Sequence, residues 1–195
     1  MLEVQDIVFS KAMIPYEFAI VDVAPNANSE SIYYFENRAI ILKQMQNIIA
    51  VEAPISKNLL FKKILKLWNT TRAGAKLNNY LTEIVDSIAT ISKNETHQEF
   101  YWNENLRPEN LQNYRDNSIE KSSIEDIAQE EIKLAIMEIM EVNLSLSKDD
   151  LVRQTSKTFG FMKVGAQIDH IITLAIMKLV EDEKVKMVGF RVVIC

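Results

Sequence analysis

VEAPISKNLLFKKILKLWNTTRAGAKL, residues 51–77, lies without a gap over VNLSLSKDDLVRQTSKTFGFMKVGAQI, residues 142–168. The offset is 91 residues, and the overlay extends to Ile41–Ile88 on Ile132–Leu179. Identical pairs include Ser56/Ser147, Lys57/Lys148, Leu60/Leu151, Lys66/Lys157 and Gly74/Gly165. Apolar positions coincide too, among them Met45/Ile136, Phe61/Val152, Trp68/Phe159, Leu77/Ile168 and Leu81/Ile172. A shared apolar pattern outweighs the identities, because it preserves the face each element must bury. The chain reads as two copies of one unit.

Ile41, Met45, Ile48 and Ile49 recur at helical spacing over about Arg38–Glu52; Ile132, Ile136, Ile139 and Met140 do so over about Ile124–Val142. After a short break, the hydroxyls of Ser56 and Ser147 are placed to accept an orphan N–H of a second helix. Asp150 completes a Ser-x-x-Asp start in the second copy. This helix buries Leu60, Ile64, Leu67 and Trp68 and stops at Asn69, or at Gly160 in its counterpart. Those residue types best tolerate the left-handed conformation that closes a helix. A third helix begins near Gly74 and Gly165. Behind it, KVKMVGFRVVI (184–194) alternates around Gly189, and IATISKNETHQEFYW (88–102) turns at SKNET, so both read as hairpins.

Helix, helix, turn, helix, hairpin is the order of a winged helix. The predicted fold is mainly α (α+β), with tandem winged-helix-like repeats at 38–102 and 124–195 and an extended N-terminal arm at 1–37. Residues 103–123, polar and containing Pro108, read as a solvated linker or as a brace docked through Leu106, Leu111 and Tyr114. In the arm, Tyr16–Val23 reads as a strand, followed by a loop and the aromatic run Tyr33, Tyr34, Phe35. The arm either packs on the repeats or is the end of a neighbouring domain.

Composition narrows the function. Apolar residues make up 48% and charged residues 25% of the 195, a globular composition. One cysteine, Cys195, and two histidines, His97 and His170, leave almost nothing for a thiol–imidazole pair or a metal cluster. No cofactor or small-molecule substrate is expected. No stretch is long and apolar enough to span a membrane, and the opening MLEVQDIVFS lacks the features of a secretion signal. A reducing, cytoplasmic setting is predicted. The net charge of −5 argues against coating nucleic acid with the whole surface.

The run Val51–Leu77, the IPY of Ile14–Tyr16, the FYW of Phe100–Trp102 and the downstream LSLSKDDLVRQTSKTFGFMKVGAQI together resemble a bacterial domain of unknown function. That domain sits at the C-terminal end of large superfamily-one helicase-like proteins, commonly after a restriction-endonuclease-like domain. Val51–Gly74 carries the most specific part of the resemblance. Ser56 departs from the pattern, since the family usually has a histidine there, so no role of that histidine carries over. The resemblance implies an accessory module whose partners are the helicase or nuclease domains of a larger protein. The chain has no GxxxxGK[ST] phosphate loop and is expected to be no enzyme in its own right.

Charge placement supplies the candidate site. Between Lys57 and Lys76 stand six basic residues and no acidic one, which leaves −11 on the remainder. Lys62, Lys63, Lys66, Arg72 and Lys76, with Asn79 on the third helix, form the predicted nucleic-acid contact, weak and sequence-independent. The bland alternative is a solvated lysine face. Glu83 and Asp86 on the third helix would repel a duplex backbone, which counts against base-specific reading. In the second copy the outward positions of that helix, His170, Leu174 and Met177, are too apolar for a groove and read as a protein interface. Docking a motor or partner without touching nucleic acid is the alternative function. Trp68, Tyr101 and Trp102 read as core, with base stacking a lesser option for Trp102.

Overall fold

The computed structural model describes residues 12–195; residues 1–11 of the expected arm lie outside them. In chain order the elements begin with β1 (Met13–Ile14), α1 (Arg38–Glu52), β2 (Ile55–Ser56), α2 (Lys57–Leu67), α3 (Ala75–Val85), β3 (Thr90–Lys93) and β4 (Glu99–Trp102). They continue with β5 (Tyr114–Arg115), α4 (Gln129–Asn143), β6 (Ser145–Ser147), α5 (Lys148–Thr158), α6 (Ala166–Glu181), β7 (Val185–Val188) and β8 (Arg191–Ile194). The fold is α+β.

The 91-residue offset returns in the element bounds. α1 and α4 begin and end 91 residues apart, as do α2 and α5, while α3 and α6 share their starts. Each set closes in a three-stranded antiparallel sheet of the same order, β2-β4-β3 and β6-β8-β7. The local signals act as expected. Ser56 Oγ accepts from Leu59 N at 3.0 Å, and Ser147 Oγ accepts from Asp150 N at 3.1 Å. The second helix of each copy stops at a left-handed residue, Asn69 at φ 49° and Gly160 at φ 78°.

The chain divides into two compact units. The first holds Tyr16–Leu111 and Ser122–Gln129; the second holds 12–15, Gln112–Lys121 and Glu130–Cys195. In the first, α1 packs on α2 and α3 around Ile41, Met45, Ile48, Leu60, Ile64, Trp68, Leu81 and Ile84. Each such side chain contributes roughly 1.5–3 kcal/mol by leaving water. Trp68 Nε1 donates to Gln44 Oε1 at 2.8 Å, and Gln44 Nε2 donates to Asp22 O at 2.8 Å. The buried amide is thereby satisfied and the arm is tied to the core.

Tyr16–Val23 corrects the strand expectation: it forms no strand. No ladder partner lies beside it among the described residues, and side chains meet its polar groups instead. Glu52, at 2% exposure, accepts from Ala19 N at 3.1 Å and from the Tyr16 hydroxyl. Ala19, Val21, Ala24 and Ile32 then pack against the first core.

The helix expected from Ile124 also starts later. Ile124–Asp126 is a short 3-10 turn, and Ile127 is extended before α4 begins. Asp126 is engaged there, accepting from Ser56 Oγ at 2.5 Å and Ser123 Oγ at 2.9 Å.

Residues 103–123 are shared between the units. Leu106 and Leu111 pack against Phe100, Trp102 and Ala128 in the first. In the second, β5 pairs in parallel with β1, and the buried Tyr114 ring meets Phe159 edge-on at 5.6 Å. Arg115 Nε and Nη2 bind the buried Glu131 carboxylate at 2.8 and 2.7 Å. The rest of the second core is Ile132, Ile136, Met140, Leu151, Ile172, Ile176 and Val192, with α5 packed on α6.

Candidate nucleic-acid interface

The amphipathic spacing of α2 decides which of its lysines can reach a ligand. Leu60, Phe61, Ile64 and Leu65 are buried, so Lys62 and Lys66, one turn apart, stand on the exposed side. Past the left-handed Asn69, the chain turns back with Thr70 N bonded to Leu65 O at 2.9 Å. Asn69 Nδ2 donates to Ala27 O at 3.0 Å, which anchors the turn on the arm. Lys62, Lys66 and Arg72 thereby line one open groove of about 810 Å³, with Asn58, Asn69 and Asn78 contributing amides. None of these three cations forms an ion pair among the described residues.

Other members of the basic run are committed elsewhere. Lys63, expected with Lys62 and Lys66, is separated from them: its Nζ lies 3.0 Å from the buried Glu52 carboxylate and 5.1 Å from the Phe18 ring centre. Lys57 Nζ binds Glu99 at 2.7 Å, and Lys93 binds the same carboxylate at 2.9 Å. Those two ammonium groups hold the Glu99 carboxyl below its ordinary range. Lys76 and Asn79 are exposed on α3 outside the groove lining. Glu83 is exposed further along the same helix, and Asp86 is exposed just past its end.

Trp102 is fully buried, its Nε1 donating to Ser92 Oγ at 2.8 Å, so it offers no face to a base. Tyr101 is buried as well, and desolvation with Asp86 nearby pushes its phenol upward. On α6, His170 and Met177 are exposed and Leu174 is half-buried. Among the described residues no group of acidic, histidine or cysteine side chains could hold a metal, and no helix is long and apolar enough to cross a membrane.

The 91-residue offset also points to residues that charge counting alone passes over. Arg153, Lys157 and Lys163 stand at the positions of Lys62, Lys66 and Arg72, and all three are exposed. Their surroundings differ, because Asp149 and Asp150 open α5 where Asn58 and Leu59 open α2. Asp150 Oδ1 binds Arg153 at 2.7 Å. The Ser147 hydroxyl and then Arg153 hold the Asp150 carboxyl below its ordinary range.

Residues 30–79 match the model of a family described as "Protein of unknown function (DUF3320)". The matched stretch takes in α1, α2 and the turn that carries Arg72, and it contains Val51–Gly74, the most specific of the several blocks that carry the resemblance. No curated protein matches the chain.

Proposed function

We propose that this chain is a non-catalytic accessory module of a helicase- or nuclease-type protein, and that its first unit holds DNA by the phosphates without reading sequence. The observation that carries this is the division of labour among the lysines of α2. Two of them are consumed by Glu99 and Glu52, while Lys62 and Lys66 share a groove with Arg72 and carry no counter-charge among the described residues. Amide donors from Asn58, Asn69 and Asn78 add neutral hydrogen bonds suited to phosphate oxygens. A winged-helix-like reading of each copy is supported by the element order and by the strand between the first two helices, which pairs with the second hairpin strand. Glu83 and Asp86 argue against seating α3 in a major groove, which favours backbone contact over base readout.

Titration of duplex DNA against salt tests the reading. Affinity should fall by about 0.9 log units per log of salt for each phosphate neutralised. The Lys62→Glu/Lys66→Glu pair should abolish measurable binding. Affinity that survives this reversal refutes the groove assignment.

Protein docking is the second reading, favoured by one feature of the second unit. Met162, Met177 and Phe190 are exposed large apolar side chains with no acidic or basic function of their own. Under this reading the module binds a partner or its own motor domains through that unit.

A further inference from the structure

On the same unit as the basic groove, three consecutive aromatic side chains face water. Phe35 is 88% exposed, Tyr34 is 50% exposed and Tyr33 is 39% exposed. Aromatic rings normally leave water, so a loop that holds three of them outward needs a cause. Here the loop is pinned. Ile32 is fully buried, Asn28 Oδ1 accepts from the backbone N–H groups of Glu30 and Ser31 at 2.9 Å each, and Asn37 Nδ2 donates to Ser31 O at 2.8 Å. The 3-10 turns at Ser31–Tyr33 and Phe35–Asn37 leave the rings no local route into the core.

Cations flank the rings. Tyr33 and Tyr80 lie 6.0 Å apart between ring centres, Lys76 Nζ sits 5.1 Å from the Tyr33 centre, and the Arg38 guanidinium sits 5.6 Å from the Tyr80 centre. Lys76, four residues after Arg72 of the groove, brings the same basic run of sequence to the Tyr33 ring.

We propose that Tyr34 and Phe35, with the Tyr33–Tyr80 pair behind them, form a stacking platform for the bases of an unpaired nucleic-acid strand whose phosphates are held by Lys76, Arg38 and the groove. The inference rests on the DNA-binding reading and sharpens it to single strands. Alternating π-faces and cations is the chemistry of sequence-tolerant strand binding, because every base has a face to stack. A duplex hides those faces. Glu36 is exposed next to Phe35 and has the wrong sign for a phosphate, which assigns bases rather than backbone to that ring.

Two labelled probes test this: an oligothymidylate of about 15 nucleotides and a blunt duplex of the same length. Each is titrated with the full chain, with Tyr34→Ala/Phe35→Ala and with Lys62→Glu/Lys66→Glu, and folding of each variant is checked by its circular-dichroism melt. The strand should bind the unaltered chain more tightly than the duplex. The aromatic variant should lose about fivefold or more on the strand and nothing on the duplex, while the groove variant loses both. A strand carrying 5-iodouracil should photo-crosslink to the Tyr33–Phe35 segment. Preference for duplex, or unchanged strand affinity in the aromatic variant with crosslinks elsewhere, overturns the platform and leaves the groove standing; the aromatics then serve a protein contact. Failure of the unaltered chain to bind either probe overturns both readings.

Discussion

The two copies share helix bounds, caps, stops and sheet order, and they differ in what the surface of the second helix carries. On α2 the first turn holds Lys57, Asn58 and Leu59, and the outward cations Lys62 and Lys66 form no ion pair among the described residues. On α5 the first turn holds Asp149 and Asp150, which favour the helix N-terminus and draw in Arg153. One backbone plan therefore supports an open basic groove in one unit and a self-compensated face in the other. Two acidic side chains at the start of α5 give Arg153 an ion-pair partner that Lys62 lacks among the described residues.

The cores allow the comparison to be broken most severely. Trp68→Ala should cost about 3–5 kcal/mol, and more than Phe159→Ala, because the indole N–H also satisfies the buried Gln44. Denaturant melts of the two variants check this, and a larger loss at Phe159 would reverse the ranking of the two cores. Next in size is the contrast between neighbours on α2. Lys63→Met removes the cation beside the buried Glu52 carboxylate, which keeps the Tyr16 hydroxyl and the Ala19 N–H among its partners, and should cost about 2–3 kcal/mol, whereas Lys62→Met should cost almost nothing. Equal melting temperatures would show that the two lysines are interchangeable and that the division of labour is false.

The paired reversals sharpen the functional side. Lys62→Glu/Lys66→Glu should abolish measurable duplex binding, even at low salt. Arg153→Glu/Lys157→Glu, at the equivalent positions, should do much less, because Arg153 is already paired with Asp150. Fluorescence anisotropy with one duplex measures both. An equal loss would mean that both copies hold DNA.

The smallest expected effect separates the two hairpins. β3 and β4 are tied by Lys57–Glu99–Lys93, whereas β8 is tied to β6 by Arg191 Nε to Ser145 Oγ at 2.8 Å. The folded-state value of Glu99 is lowered, so its contribution is complete above the unfolded carboxyl range, about pH 4.3, and is lost as pH falls through the folded value. It amounts to about 0.5 kcal/mol for a pair this exposed. Amide exchange measured across that acid window should loosen β4 before β8. Equal loosening, or a response unchanged by Glu99→Gln, would dissociate the carboxylate from the hairpin.

Much of the molecule was legible in the residue order. Most helix bounds (the start of α4 excepted), the Ser56 and Ser147 caps, the left-handed stops at Asn69 and Gly160 and both hairpins depend on contacts within a few residues, and periodicity records those contacts. The 91-residue offset extended the reading from one copy to the other, and it also contained Arg153, Lys157 and Lys163 for a reader who followed charge along it. Partnerships across long sequence separation were not legible. Tyr16–Val23 has the composition of a strand, yet a strand exists only where another presents its unpaired N–H and C=O groups. Here Glu52 and Gln44 met those needs from α1. Lys62, Lys63 and Lys66 are chemically alike in the sequence. Only the packing of α1, α2 and the arm spent Lys63 on a buried carboxylate and left the other two to the groove, because burial leaves a charge no solvent and makes its nearest opposite charge obligatory.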